Sequence, residues 1–338
     1  MGNDEDGPGT ANTMRERAGE SRFKFWFLLR ANRLVLTGLL TVAFFLAFMT
    51  GVFVDPVLSD MVAERAVIEA MFSTMISALI TGITLVVTIS QLIISQENGP
   101  LGDQRQRMSE ALDFRTYIKE VTGKPAPADP SALLREIVDT SEKRANDLEE
   151  SVEKLDDQEL IEDVNDFTES ITGNSDAVRE QLEGQQFGTF DVVNAALDYN
   201  YSWKMFQIDR MEDDYQDVLE DEQTAAFDDL RTSLAMFGPA REHVKTLYFQ
   251  WELIDLMRLI LYAGIPALLV SGMMLTFVNE ATVPGSTLGI NNLLWLVGAA
   301  FSITLVPFLL LTTYVTRVAT VAKRTLAIGP QILRKSQR

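Results

Sequence analysis

Residues Ser73–Ser95 read STMISALITGITLVVTISQLIIS, an apolar run interrupted at regular intervals by hydroxyls. At 100° per residue, Ser73, Ser77, Thr81, Thr84, Thr88, Gln91 and Ser95 fall within roughly 80° of one another. They form one polar row along a helix, about 33 Å long at 1.5 Å per residue. The opposite side, with Leu79, Ile83, Val86, Ile89 and Ile93, reads as apolar. A helix of this length and hydropathy is expected to cross a bilayer whose hydrocarbon core is about 30 Å thick, with its polar face turned to water or to another polar helix.

Three more segments have the same length and character: Leu34–Val54, Leu253–Val278 and Leu293–Thr316, with the second span running from Val67 to Ser95. The first is too long for a signal peptide and no A-x-A-like cleavage site follows it, so it reads as an uncleaved anchor. Short rows of small residues, Ala43, Ala47 and Gly51, Ala263, Ala267 and Ser271, and Gly298 and Ser302, predict close helix packing in the other spans. Only the second carries a polar face from end to end. Pro266 and Pro307 interrupt the third and fourth spans and free the carbonyls of Tyr262 and Ile303, so both are candidate hinges or static kinks.

Charge sets the orientation. The N-terminal flank carries Arg15, Arg17, Arg22, Lys24, Arg30 and Arg33, interleaved with Phe23, Phe25, Trp26 and Phe27, which suits the headgroup layer. The tail carries Arg317, Lys323, Arg324, Arg334, Lys335 and Arg338, while the two hairpin loops hold Asp55, Asp60, Glu64 and Glu280 against a single Arg65. By the positive-inside rule both termini are cytoplasmic and the chain is a multi-pass protein of the cell membrane. Glu69, one turn before Ser73, is placed at the outer mouth of the polar row.

The chain of 338 residues has a net charge of -19, and residues 97–250 alone hold 36 acidic against 15 basic residues. That segment is read as an acidic cytoplasmic helical domain. A helix is expected over Asp103–Glu120, a linker over Gly123–Pro130, and Ser131 is expected to cap the next helix. Helical stripes follow at Leu148, Val152 and Leu155, at Ile161, Val164, Phe167 and Ile171, at Ile208, Met211, Tyr215 and Val218, and at Phe227, Leu230, Leu234 and Phe237. Gly238-Pro239 is expected to break the pattern, with a helix from about Arg241 running into the third span.

The expected fold is therefore an all-α integral membrane protein with four transmembrane helices and a large cytoplasmic helical domain inserted between the second and third. Its segments are 1–33, a disordered acidic tail and interfacial segment; 34–96, a transmembrane hairpin; 97–250, the cytoplasmic domain; 251–316, a second hairpin; and 317–338, a basic tail. Twenty arginines against nine lysines, with an acid-rich surface, are similar to proteins of salt-loving archaea. At roughly 1 M salt the Debye length is about 3 Å, so this charge does not identify a partner.

Chemistry has little support. There are no cysteines and one histidine, His243, which removes thiolate sites and two-histidine metal motifs. Phosphate-loop, nucleophile-elbow and dinucleotide signatures are absent from the sequence, and no carboxylate lies deep in a span. Asp213, Asp217 and Glu220 are expected on one solvated helix face, without the loop spacing of a calcium site. Tyr199, Tyr201, Trp203 and Phe206 are expected to pack in a core or an interface, since an acidic domain repels nucleic acid. Asp255 and Arg258 are spaced to pair at the entry of the third span. The expected protein is not an enzyme and has no cofactor or metal, and its partners are the bilayer, further copies of itself and a cytoplasmic protein.

The segment SQENGPLGDQRQRM after the row resembles one found in uncharacterised multi-pass membrane proteins of haloarchaea; the resemblance implies no activity. Two spans, a large helical cytoplasmic segment and two more spans also resemble the layout of bestrophin anion channels, whose second span lines the pore. The large apolar residues of the bestrophin neck have no counterpart in the hydroxyl row, so anion selectivity does not carry over. The row thus lines a pore in an oligomeric channel, or it is a helix interface in a non-conducting scaffold or sensor.

Overall fold

The computed structural model describes residues 26–97, 99–185, 188–279 and 281–324. The Met1–Thr13 tail, the cations Arg15, Arg17, Arg22 and Lys24, and Phe23, Phe25, Asn98, Glu280, Arg334, Lys335 and Arg338 lie outside them. The described chain is helical apart from one two-stranded hairpin. It divides into two units, one of Trp26–Gly99 with Gln250–Val321, the other built mainly of Pro100–Phe249.

In the first unit a π-helical turn, Trp26–Arg30, precedes α1 (Arg33–Val54), the short α2 (Pro56–Ala63) and α3 (Arg65–Glu97). The Asn32 side chain accepts from the N–H groups of Leu34 and Val35 and so begins α1. Asp55 ends α1 and in turn caps α2, accepting from Val57 and Leu58, with Pro56 in the first helical position. The loop expected between the first two apolar segments is thus itself helical. The unit resumes within α9 (Asp221–Phe277), passes through the hairpin β1 (Ser286–Thr287) and β2 (Ile290–Asn291), and ends in α10 (Asn292–Arg324). Leu288 and Gly289 at the hairpin tip have φ of 54° and 81°, the paired left-handed conformation of a tight two-residue turn.

Four helices are long and apolar enough to cross a membrane: α1, α3, α9 and α10. They are held together by small residues at close approaches. A Cβ on Gly298 would come within 2.8 Å of Phe48 Cδ1, and one on Gly264 within 2.5 Å of Ile83 Cδ1. Val52, Ile68, Phe72, Met274, Leu293 and Val297 form one apolar cluster, and Val86, Leu256, Ile260 and Leu310 form another. In the expected row Ala43, Ala47 and Gly51, only Gly51 meets a neighbour within the chain, with Leu58 Cδ2 3.4 Å from an added Cβ, while Ala43 and Ala47 are exposed.

The second unit contains α4 (Leu101–Thr122), α5 (Pro130–Val152), α6 (Gln158–Leu182), α7 (Phe190–Asp198), α8 (Tyr201–Asp214) and the first part of α9. Its core joins Leu134, Ile137, Val138 and Leu148 of α5 to Val164, Ile171 and Val178 of α6, with Phe227, Leu230, Leu234 and Phe237 of α9 also fully buried. The cap of α5 is Asp129 and not Ser131: its Oδ1 accepts from the Ser131 and Ala132 N–H groups, both at 2.9 Å, and from the Ser131 hydroxyl. That hydroxyl bond, with the two backbone N–H groups and Arg135, lowers the Asp129 pKa against the opposing effect of burial.

Two further expectations change. Gly238-Pro239 does not break the helix, and α9 continues through it. Pro239 forfeits one backbone bond only, and the bare Gly238 admits the Tyr201 ring, whose hydroxyl would lie 3.2 Å from an added Cβ. α8 stops at Asp214, so Asp217 and Glu220 lie beyond it and do not share a helix face with Asp213. Tyr199 and Tyr201 pack on Phe237 with ring centroids 4.6 and 5.8 Å away.

Candidate functional site

The seven residues of the polar row lie on one helix, α3, and all are exposed. The buried residues of α3 are Ile68, Phe72, Leu79, Val86 and Ser90, whose mean direction is roughly 150° from that of the row. The row is therefore turned away from the unit, and intrachain packing uses the other side of the helix.

The hydroxyls are satisfied locally. Ser77 Oγ donates to the Ser73 carbonyl at 3.3 Å, Thr81 to Ser77 at 2.9 Å, Thr84 to Ile80 at 2.8 Å and Thr88 to Thr84 at 2.9 Å. Each bond reaches back one turn, which lets a hydroxyl sit in a helix without a tertiary partner. Glu69, expected at an outer mouth, is paired: its Oε1 accepts from Arg65 Nε at 2.6 Å, and both side chains are about half exposed. The two charges cancel at long range, so Glu69 projects little net field along the row.

The prolines behave differently from a break. α9 runs unbroken through the exposed Pro266, and α10 runs unbroken through the buried Pro307. Thr304 Oγ1 donates to the Phe301 carbonyl at 2.7 Å in the turn before Pro307. Asp255 and Arg258 approach to 3.7 Å in an exposed pair.

A polar layer that sequence reasoning missed closes one end of the same unit. Arg317 of α10 donates from Nη1 to Glu252 Oε1 of α9 at 3.2 Å and from Nη2 to the Ala31 carbonyl at 2.8 Å. Arg33 reaches back to the carbonyls of Phe27 and Leu28 at 3.3 and 2.8 Å. Arg33 is 3 % and Arg317 8 % exposed, although the sequence gives both only as cations of the flanks that set orientation. One turn further in, Thr37 and Thr313 share a buried hydroxyl contact of 3.2 Å. The available signal was Glu252, an acid at the very start of an apolar run, with no cation near it in sequence.

The second unit holds a buried cation that was also missed. Lys204 is 2 % exposed; its Nζ donates to Asn174 Oδ1 at 2.6 Å and lies 4.6 Å from the centre of the Tyr199 ring. Asn174 in turn donates to the Asp198 carbonyl at 3.2 Å. Burial raises the Tyr199 hydroxyl pKa above its ordinary value, so that residue is neutral at physiological pH. Arg179 gathers Asp139 of α5 at 2.9 Å together with Glu142 and Asp176, and Arg231 gathers Asp209 at 3.1 Å, Glu212 and Asp228 at 2.5 Å. Each arginine bridges three carboxylates and reduces their mutual repulsion. Among the described residues no cluster of histidine and carboxylate side chains could hold a metal ion.

No curated protein and no solved structure matches this chain, and neither the haloarchaeal nor the bestrophin resemblance gains a relative from the comparisons. One family matches along the entire length, residues 1–338, and by that match the chain belongs to DUF7972, a family of unknown function.

Proposed function

We propose that this is a four-span membrane protein that assembles from several copies into an ion channel, with the hydroxyl row of α3 lining the conduit. α1, α3, the later part of α9 and α10 cross the bilayer. The acidic helical segment 97–250 is a cytoplasmic domain between the second and third spans, and the basic flanks keep both termini inside.

Outward apolar surface supports the membrane placement. Leu39, Val42 and Leu46 of α1, Tyr262, Ile265 and Leu269 of α9 and Phe308 of α10 are all more than half exposed. Apolar surface on that scale is unfavourable in water and ordinary against lipid. The single observation that carries the pore is the exposure of Ser73, Ser77, Thr81, Thr84, Thr88, Gln91 and Ser95 on the side of α3 opposite its buried seam. One copy contributes one polar helix, so a conduit requires a ring of copies with α3 innermost.

The local hydroxyl bonds favour a second reading. Ser and Thr side chains already bonded to their own helix can pack against a neighbouring α3 without water. The assembly is then a non-conducting scaffold or sensor whose helical domain binds a protein.

Single cysteines at Ser77, Thr81 and Thr84 of this cysteine-free chain, in sealed vesicles, distinguish the two. Reaction of all three with a membrane-impermeant thiol reagent is expected for the channel. Three inert positions beside reactive cysteines at Ser73 and Ser95 would sink the pore and leave the interface.

A further inference from the structure

An apolar cleft of about 250 Å³ opens in the side of the four-helix unit. Met75, Gly82 and Val86 of α3 form one wall, Ile260 of α9 its floor, and Pro307 and Phe308 of α10 the other wall. The bare Gly82 leaves open space, since a Cβ there would meet nothing within 4 Å. The lining includes one hydroxyl, Thr304, whose proton is committed to the Phe301 carbonyl.

Water does not suit such a space, because an ordered water needs two to four polar partners. Hydrocarbon does: an apolar cavity of about 150 Å³ already binds benzene, and this cleft is larger. Its mouth is bordered by exposed Ala78, Gly82 and Phe308. The medium at the mouth is therefore the one that the exposed leucines of α1 and α9 require. Along the helices, Ile260 is eight residues past Glu252 and Leu311 six before Arg317, or about 12 and 9 Å. With Thr304 thirteen residues before Arg317, about 20 Å, the cleft reaches from the half nearer the buried charged layer to the middle of the unit, at the depth of lipid chains.

We propose that this cleft seats one hydrocarbon chain of a membrane lipid between α3 and the Pro307 segment of α10. The proposal rests on the membrane placement given above and is independent of conduction. The mouth residues Ala78 and Gly82 point about 125° from the hydroxyl row, so a seated chain contacts α3 from behind the row. Occupancy then sets how far α3 stands from α10, and gives the bilayer composition a hold on the helix that carries the row.

The test uses the full chain in phosphatidylcholine and phosphatidylglycerol vesicles doped with a phosphatidylcholine that carries a diazirine in its acyl chain. After photolysis, labelled peptides are mapped by mass spectrometry. Labelling at Met75, Gly82 and Phe308 is expected to exceed that at Leu39, Val42 and Leu46 by about fivefold, as a preference near RT ln 5 implies. Gly82→Leu, or Ala78→Leu if the first variant fails to fold, should reduce the excess to the α1 level while α1 labelling stays constant. Equal labelling of cleft and α1, or an excess that survives a folded plug variant, overturns the site. Labelling of neither face overturns the membrane placement itself, a result distinguishable from loss of the site alone.

Discussion

Ile83 of α3 rests on the bare Cα of Gly264 in α9, so closely that a Cβ built on the glycine would lie 2.5 Å from the isoleucine Cδ1. The contact fixes the approach of two apolar helices without any polar bond between them. Gly264→Ala should therefore force Ile83 out of place and lower stability by about 1–3 kcal/mol. Ile83→Ala, harmful alone, should offset part of that loss in the double variant, because the two changes share one space. Thermal unfolding of the four proteins in detergent measures the coupling, and strict additivity would contradict the contact.

Arg317 and Glu252 form a pair whose side chains are 10 % and 14 % exposed. Replacing Arg317 by Leu removes the cation facing a largely buried carboxylate and the donor to the Ala31 carbonyl, with an expected loss of about 3–5 kcal/mol. The double change to leucine at both positions should be milder than Arg317→Leu alone. A denaturation series in detergent in which the double variant is the worse of the two would show that the pair is not the unit of stability.

The hydroxyls of Thr81 and Thr84 are exposed and bonded only within α3. Thr81→Val and Thr84→Val should change stability by no more than about 0.5 kcal/mol. Under the channel reading each should reduce ion flux through reconstituted protein, since a methyl replaces an oxygen on the conduit wall. Unchanged flux with unchanged folding would count against the row as lining.

Asp129 caps α5, and its carboxyl is held below the ordinary range. A carboxylate with a depressed folded pKa contributes stability above its unfolded value near 4, and that contribution is lost as pH falls through the folded value. Asp129→Ala should cost about 1 kcal/mol at pH 7. The gap from the parent protein should narrow as pH falls below about 4. Circular dichroism during urea titration at several pH values reads this directly, and a gap that widens in acid would exclude the assignment.

Much of the fold was legible because lipid-length apolar runs and 3.6-residue stripes are strong local signals. The stripes at Val164, Phe167 and Ile171 and at Phe227, Leu230 and Leu234 lie in the core, and the ends of α1 and α3 fall within two residues of expectation. Punctuation was less legible. Gly238-Pro239 reads as a break, yet Tyr201 packs on it and the helix continues. Ser131 reads as a cap, yet the helix already starts at Pro130, so Ser131 lies inside it and Asp129 holds the cap position. Arg33 and Arg317 read only as flank cations because their partners, the carbonyls of Phe27, Leu28 and Ala31 and the carboxylate of Glu252, are brought to them by the folded structure. Composition cannot show that. The row itself was visible in periodicity, but the side of α3 that packs is a property of the assembled helices.

The protons of Ser77, Thr81, Thr84 and Thr88 are all directed at carbonyls of their own helix. What these four side chains turn outward is thus oxygen lone pairs with the hydrogens withdrawn. These four side chains can accept from water or stand in for the hydration shell of a positive ion but offer a chloride no hydrogen, so along the row donors to an anion are left to Ser73, Gln91 and Ser95. In any conduit built from it, discrimination by sign of charge would come from the hydroxyl lone pairs, with Glu69 already answered by Arg65.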